Sequence, residues 1–222
     1  MSYRKEKSKS LLGIDTNNLK KDSLIKLSQS VLNNGMHGLC FSPYVEGQKP
    51  GDFISESQIR RKLELIQPHT KWIRTFSCTD GNEQIPVLAK EYGLKTLVGA
   101  WLGDDPIINE DEINGLINLT KQGCVNIAAV GNEVMYRQDL SEEELIDYIN
   151  RVKLAIPSTP VGYVDAYYEF TDRPKITKVC DVILANCYPF WEGCSLEYSL
   201  VYMKQMYFQA MSAANGKKVI IT

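Results

Sequence analysis

The sequence predicts an α/β fold on a parallel sheet, read as an incomplete (β/α)8 barrel with about seven strands present. Three observations carry this. From residue 36 onward, short apolar runs alternate with amphipathic stretches in a repeated β-then-α order. The runs alternate only weakly in polarity, as expected of strands buried on both faces of a parallel sheet, either doubly wound or closed into a barrel. No Gly-rich phosphate fingerprint follows the first run to favour a dinucleotide-binding doubly wound arrangement. A complete barrel takes about 250 residues, so a chain of 222 reads as one strand and two helices short.

The elements follow in order. The first strand is expected over residues 36–41, then a Pro- and Gly-rich loop over 42–52. A helix starts near Ser55, where Ser-x-x-Gln resembles a capping box, and Pro68 ends it. Residues 72–76 are strand two, 83–92 a helix stopped by Gly93, and 96–101 strand three. A helix over 106–122 precedes strand four at 125–130, which runs directly into Gly131-Asn132-Glu133. Ser141, followed by Glu142, Glu143 and Glu144, opens the next helix with a hydroxyl cap and an acidic first turn. Strand five (161–164), a short helix (171–178), strand six (182–186) and a helix over 196–214 come next. Asn215-Gly216 stops that helix, and the β-branched run 218–222 is strand seven.

Three parts are expected: a charge-rich disordered tail over residues 1–10, a helical segment over 11–34, and the partial barrel over 35–222. Leu24, Leu27, Val31 and Leu32 fall at helical spacing, so the second part is expected to cover the lower face of the barrel or pack beside it. With 44% hydrophobic and 23% charged residues, the chain has the composition of one domain with a substantial core. A net charge of -2, with Lys and Arg scattered singly, argues against nucleic acid or an anionic membrane as partner. No signal-peptide apolar region follows Met1, and no run approaches the roughly 18 residues of a membrane span. The chain as given reads as soluble, with the cytoplasm favoured and the compartment and oligomeric state left open. Cys40, Cys78, Cys124, Cys180, Cys187 and Cys194 lack CxxC spacing and read as free core or near-core thiols. His37 and His69 are too few and too far apart for a metal site or a nucleophilic triad, so neither metal nor organic cofactor is expected.

In a (β/α)8 barrel the chemistry sits at the carboxyl ends of the strands. The polar residues there are Arg74, Thr75 and Ser77 after strand two, Asn132 and Glu133 after strand four, Asp165 and Tyr167 after strand five, and Asn186, Tyr188 and Trp191 after strand six. Glu133 is the sharpest of these. It follows Ile127-Ala128-Ala129-Val130 and a glycine, which points its carboxylate into the barrel mouth in a partly dry setting suited to a proton donor. The competing reading is a carboxylate stabilising the start of the next helix. Asn132 favours the first, because an amide there can hold a sugar hydroxyl beside the reacting carbon.

Val130-Gly131-Asn132-Glu133-Val134 resembles the acid/base motif of family 17 glycoside hydrolases, the β-1,3-glucanases and related β-glucan transferases. Gly38-Leu39-Cys40-Phe41-Ser42-Pro43-Tyr44 with Gly47-Gln48 resembles the first strand of bacterial members. Ile73-Arg74-Thr75-Phe76 resembles the second strand, and Asn186-Cys187-Tyr188-Pro189-Phe190-Trp191 the sixth. The likeness extends over residues 36–222. It implies a retaining double displacement, with Glu133 as acid/base and a second Glu after strand seven as nucleophile, the two carboxyl groups about 5–5.5 Å apart. Val219-Ile220-Ile221-Thr222 resembles the strand that leads into that nucleophile, which would follow Thr222 and is absent from this chain. The chain is therefore expected to be part of a longer enzyme.

Glu46, Asp165, Glu169 and Glu192 are read as sugar ligands or solvated loop charges and not as replacements for the nucleophile. Arg74 is expected to keep the nucleophile ionised, against an inward-facing barrel ion pair, and Tyr188 to donate a hydrogen bond to it, against plain core packing. Trp191 and Tyr44 are expected to stack on pyranose rings, and Asp165 and Tyr167 to hold hydroxyls at the mouth. The leading reading is hydrolysis of β-1,3-glucan or a related β-glucan, with possible transglycosylation, on an oligo- or polysaccharide substrate. The alternatives are a non-catalytic carbohydrate-binding barrel and another (β/α)8 enzyme of the isomerase or aldolase kind.

Overall fold

Seven of the apolar runs form strands of one sheet: β1 (Leu39–Cys40), β2 (Trp72–Arg74), β3 (Lys95–Ala100), β4 (Ile127–Asn132), β5 (Val161–Ala166), β6 (Val182–Asn186) and β7 (Lys218–Ile221). A computed structural model describes residues 18–222. The expected tail over residues 1–10, and residues 11–17 of the expected helical segment, lie outside the described residues. Every neighbouring pair is parallel and the spatial order is the sequence order, β1 to β7. A doubly wound sheet reverses its strand order at a switch point, whereas a barrel does not. The curl is visible in a cavity of about 590 Å³, whose wall includes Leu39 and Cys40 of β1, Ile220 and Ile221 of β7, and Trp72 and Leu97 between them. This is the incomplete (β/α)8 barrel.

The period of two along each strand separates the two faces. On the concave side Leu97, Ile127, Ala129, Val164, Val182 and Leu184 form one cluster. The alternate residues Val98, Ala128, Val130, Tyr163 and Ile183 face outward and pack with helix residues such as Leu116, Leu145 and Ile149. The helices are α1 (Lys21–Asn34), α2 (Glu56–Ile66), α3 (Gln84–Glu91), α4 (Pro106–Lys121), α5 (Val134–Arg137), α6 (Glu142–Ala155), α7 (Glu169–Asp172), α8 (Pro174–Val179) and α9 (Ser199–Ala213).

Local chemistry accounts for the boundaries. Ser141 and Glu144 make a reciprocal capping box at α6. At α2 only half of the expected box forms: Ser55 accepts from Gln58 N, but the Gln58 amide donates to Pro43 O at 2.7 Å and to Gln48 Oε1 at 2.6 Å, clamping the β1–α2 loop. The expected helix over 171–178 is two short helices, because Pro174 excludes the helical conformation at Arg173, which sits at φ -124 and ψ 70. Helix α1 buries no residue, and it meets the Gln67–His69 turn, where His69 Nδ1 lies 3.1 Å from Leu32 O. Lys217 Nζ donates to Thr177 O and Lys178 O at 2.7 Å and to Cys180 O at 2.6 Å, pinning the start of β7 to the end of α8.

All six cysteines are free thiols, Cys78, Cys124, Cys180 and Cys187 being buried. No described helix is long and apolar enough to cross a membrane.

Candidate active site

The end of β4 departs from regular pairing in a way that aims its last residues. Ala129 pairs with Gly162 and Asn132 with Val164, so β4 spends three steps where β5 spends two. This is a bulge with one extra residue. Val130 faces the outer core, and so does Gly131, whose added Cβ would meet Val134 Cγ2 at 2.8 Å and Tyr163 Cε2 at 3.3 Å. Two successive outward residues reverse the phase of the strand, and Asn132 turns inward where a regular pleat would have turned it out. Gly131 suits this position twice over, since it sits at φ +83 and has no side chain to collide.

Glu133 follows in the left-handed region, at φ 52 and ψ 30, an unusual conformation for a residue with a side chain. Hydrogen bonds on both sides hold it there. Glu133 N donates to Val164 O at 2.8 Å, and Arg137 N donates to Glu133 O at 2.8 Å. The first turn of α5 is capped from β5: Met135 N donates to Tyr163 Oη at 2.9 Å and Tyr136 N to Asp165 Oδ2 at 3.3 Å, while Tyr163 donates its hydroxyl proton to Asp165. Arg137 donates to Asn132 O and, at 2.9 Å, to Leu102 O, tying α5 back to the ends of β4 and β3.

On the concave rim these residues meet a polar chain. Asn186 Nδ2 donates to Glu133 Oε1 at 2.6 Å, and Thr222 Oγ1 donates to Asn186 Oδ1 at 2.8 Å. The carboxylate of Glu133 and the end of β7 are thus joined through one amide. Arg74 donates to Asn132 Oδ1 and lies over the Phe76 ring, 4.5 Å from its centroid. Arg74 is 7% exposed, its Nε has no hydrogen-bond partner, and it forms no ion pair among the described residues. A buried cation in that state is suited to an anion arriving from elsewhere. The Tyr188 hydroxyl is held above its ordinary pKa by burial and by the Glu133 carboxylate, and Arg74 acts in the opposite sense. Arg74, Asn132, Glu133 and Tyr188 therefore share one neighbourhood.

Four other expected site residues stand differently. Asp165 is corrected: it is fully buried, shares the outward parity of Tyr163, and spends its carboxylate on Tyr163, Tyr136 N and Ala166 N, so it supports α5 and does not face the mouth. Burial raises its pKa to about 6 against the lowering effect of these donors. Tyr167 is buried and donates to Glu192 Oε2 at 3.2 Å; Tyr202 donates to the same oxygen, so the pair anchors the β6–α9 loop. Trp191, on that loop, is 80% exposed and meets Phe190 edge-on. Tyr44 packs on the cluster containing Phe41 and Ile54, and its hydroxyl accepts from Asn82 Nδ2 at 3.3 Å, apart from the Glu133 network.

Glu112 of α4 was not expected. It is 2% exposed and accepts from Ser77 Oγ, from Cys78 N at 2.8 Å, from Thr79 Oγ1 at 2.9 Å and from Trp101 N at 3.0 Å, which locks the loops after β2 and β3 together. Burial raises its pKa against these four donors. A signal was present: Asn109, Glu112, Ile113, Leu116 and Leu119 form one stripe of α4, and a carboxylate in a buried stripe needs donors. No group of three His, Cys, Asp or Glu side chains able to hold a metal occurs among the described residues.

Comparison with known proteins adds the family. Residues 38–222 match the family described as the BtgE/BtgC glycoside hydrolase domain. Glucan 1,3-beta-glucosidase BGL2 of Candida albicans is 26% identical over 175 residues, covering 69% of this chain and 56% of that protein. A glucan 1,3-beta-glucosidase of Schizosaccharomyces pombe is 28% identical over 144 residues, covering 59% and 45%. The chain spans about half the length of the curated relatives it matches. Among solved structures, the glycoside hydrolase family 17 beta-1,3-glucanosyltransferase of Rhizomucor miehei aligns with a TM-score of 0.74 and 26% identity, covering 85% of this chain and 71% of that one. Its active-site mutant in complex with laminaritriose aligns with the same TM-score at 25% identity, with the same coverage. The family match over residues 38–222, on a curled parallel sheet whose strand ends gather Glu133, Asn186 and Arg74, establishes that this chain belongs to the BtgE/BtgC glycoside hydrolase domain family.

Proposed function

We propose that the protein cleaves or transfers β-1,3-glucan by a retaining mechanism in which Glu133 is the acid/base. The observation that carries this reading is the hydrogen bond from Asn186 Nδ2 to Glu133 Oε1 at 2.6 Å on the concave rim. Amide donation to Oε1 leaves Oε2 to carry the proton, and that proton passes to the glycosidic oxygen as the bond to the leaving sugar breaks. The second carboxylate attacks the anomeric carbon and forms the glycosyl-enzyme. Glu133, now ionised, takes a proton from the incoming water or sugar hydroxyl, which attacks the same carbon and frees the nucleophile.

The proposed place of the nucleophile is the position after Thr222. Retaining chemistry needs about 5–5.5 Å between the two carboxyl groups. Thr222 is two hydrogen bonds from the Glu133 carboxylate, through Asn186. Arg74, buried with no ion pair among the described residues, is the cation proposed to hold that carboxylate ionised, with Tyr188 as a further donor. The substrate class is supported by relatives described as glucan 1,3-beta-glucosidases and by the laminaritriose complex of the aligned transferase.

The test is Glu133→Gln in the whole protein. Loss of a general acid lowers turnover by about 10²–10⁴-fold, so release of reducing sugar from laminarin-type glucan should fall by that factor with the fold unchanged. Unchanged turnover would exclude the assignment. A neutral residue at the position after Thr222, with binding but no cleavage, would make the protein a carbohydrate-binding barrel instead.

A further inference from the structure

The indole of Trp101 is held in place at the rim and remains partly open to solvent. It follows β3 directly and continues the inward parity of Leu97, and it is 39% exposed. Its backbone N–H is fixed by Glu112 at 3.0 Å. The Arg137 guanidinium lies over its ring, 4.6 Å from the centroid. That guanidinium is itself held by Asn132 O, by Leu102 O at 2.9 Å and by Asp139 Oδ2 at 2.6 Å. The same arginine therefore grips the carbonyl of Asn132, the residue before Glu133, and stacks on the indole, which restrains the ring on the rim at the end of β4. Trp191, by contrast, is 80% exposed and, among the described residues, meets the ring of Phe190 alone.

A flat apolar surface held in advance binds without the ordering cost a free side chain incurs. Pyranose rings with equatorial hydroxyls expose a face of C–H groups that lies on such a surface. We propose that Trp101, backed by Arg137, is the stacking platform for the glucan ring bound beside Glu133. This rests on the glucan reading above. It assigns one wall of the subsite next to the acid to β3 and α5.

The test measures binding without turnover, in the whole protein carrying Glu133→Gln, by titration calorimetry with laminarin oligosaccharides and by near-UV difference absorbance. Trp101→Leu stays apolar but loses the flat face, and should weaken binding about tenfold or more. Trp101→Phe keeps a flat face and should stay within about threefold. The indole difference band seen on binding should shrink in both. Equal affinities for Leu, Phe and the parent, with the band intact, would overturn the platform alone. Failure of the Glu133→Gln parent to bind any of the oligosaccharides would overturn the glucan reading, and the platform with it. Because Phe and Leu differ little in volume, the comparison between them is readable even if both variants lose some stability.

Discussion

Replacing Gly131 with alanine tests whether the β4 bulge places Asn132 and Glu133. The φ of +83 costs a residue with a Cβ about 1–2 kcal/mol. The methyl would stand 2.8 Å from Val134 Cγ2, 3.3 Å from Tyr163 Cε2 and 3.5 Å from Leu145 Cδ1. Val134, Tyr163 and Leu145 are all fully buried, so none can swing into solvent to relieve the contact. Overpacking of this kind costs about 1–3 kcal/mol more. The sum, about 2–5 kcal/mol, is a large share of the roughly 5–15 kcal/mol that holds a domain folded. Gly93 is the control, since it has φ +72 but nothing within 4 Å of an added Cβ. Both substitutions stiffen the unfolded chain equally, so that effect cancels in their difference. Urea denaturation should show Gly131→Ala losing about 1–3 kcal/mol more than Gly93→Ala. In the whole protein the proposed glucan turnover should fall as well, because relieving the clash moves the segment that carries Glu133. Equal losses in the two variants would mean that the methyl at position 131 meets no resistance from Val134, Tyr163 and Leu145.

The pKa of Asp165 is raised from 3.8 to about 6, so the folded state holds a proton that the unfolded chain releases between those values. Its contribution is present below pH 4 and lost as pH rises through about 6; the stability gap between the parent and Asp165→Asn should shift against the parent by about 2–3 kcal/mol from pH 4 to pH 7, and a gap that is flat with pH would contradict the buried carboxylate. At Glu112, substitution by leucine leaves Cys78 N buried and Trp101 N part-buried without their acceptor, a loss of about 1–3 kcal/mol from the first and less from the second. Glu112→Gln should lose far less, because the Ser77 and Thr79 hydroxyls can turn to accept from the amide; thermal melts in which the two substitutions are equally harmful would show that Glu112 acts by charge and not by hydrogen bonding.

The barrel topology is legible in the sequence because it rests on signals that act locally. Ser141 with Glu144, Asp105 before Pro106, and Gly93 each set a helix end through their immediate neighbours. The place of Glu133 at the carboxyl end of β4 is legible for the same reason: the apolar run ahead of it is continuous. The direction of Asn132 is not, because it depends on one extra residue that is visible only in the pairing of β4 with β5. Asp165 shows the converse. Its position after an apolar run suggests the mouth, but parity with Tyr163 turns it toward α5, and nothing in the sequence announces that the Tyr136 N–H and the Tyr163 hydroxyl wait there as donors. Arg137 joins β3, β4 and the Trp101 ring across the rim, and contacts so far apart in the chain leave no local pattern.

A crystal structure of the whole protein carrying Glu133→Gln with laminaritriose bound would locate the scissile bond relative to position 133. The account predicts the scissile glycosidic oxygen within about 3 Å of the side chain at position 133, on the concave side of the sheet and beside Asn186. A sugar lodged in the outer helix layer, or one whose glycosidic oxygen faces another carboxylate such as Glu192, would contradict it.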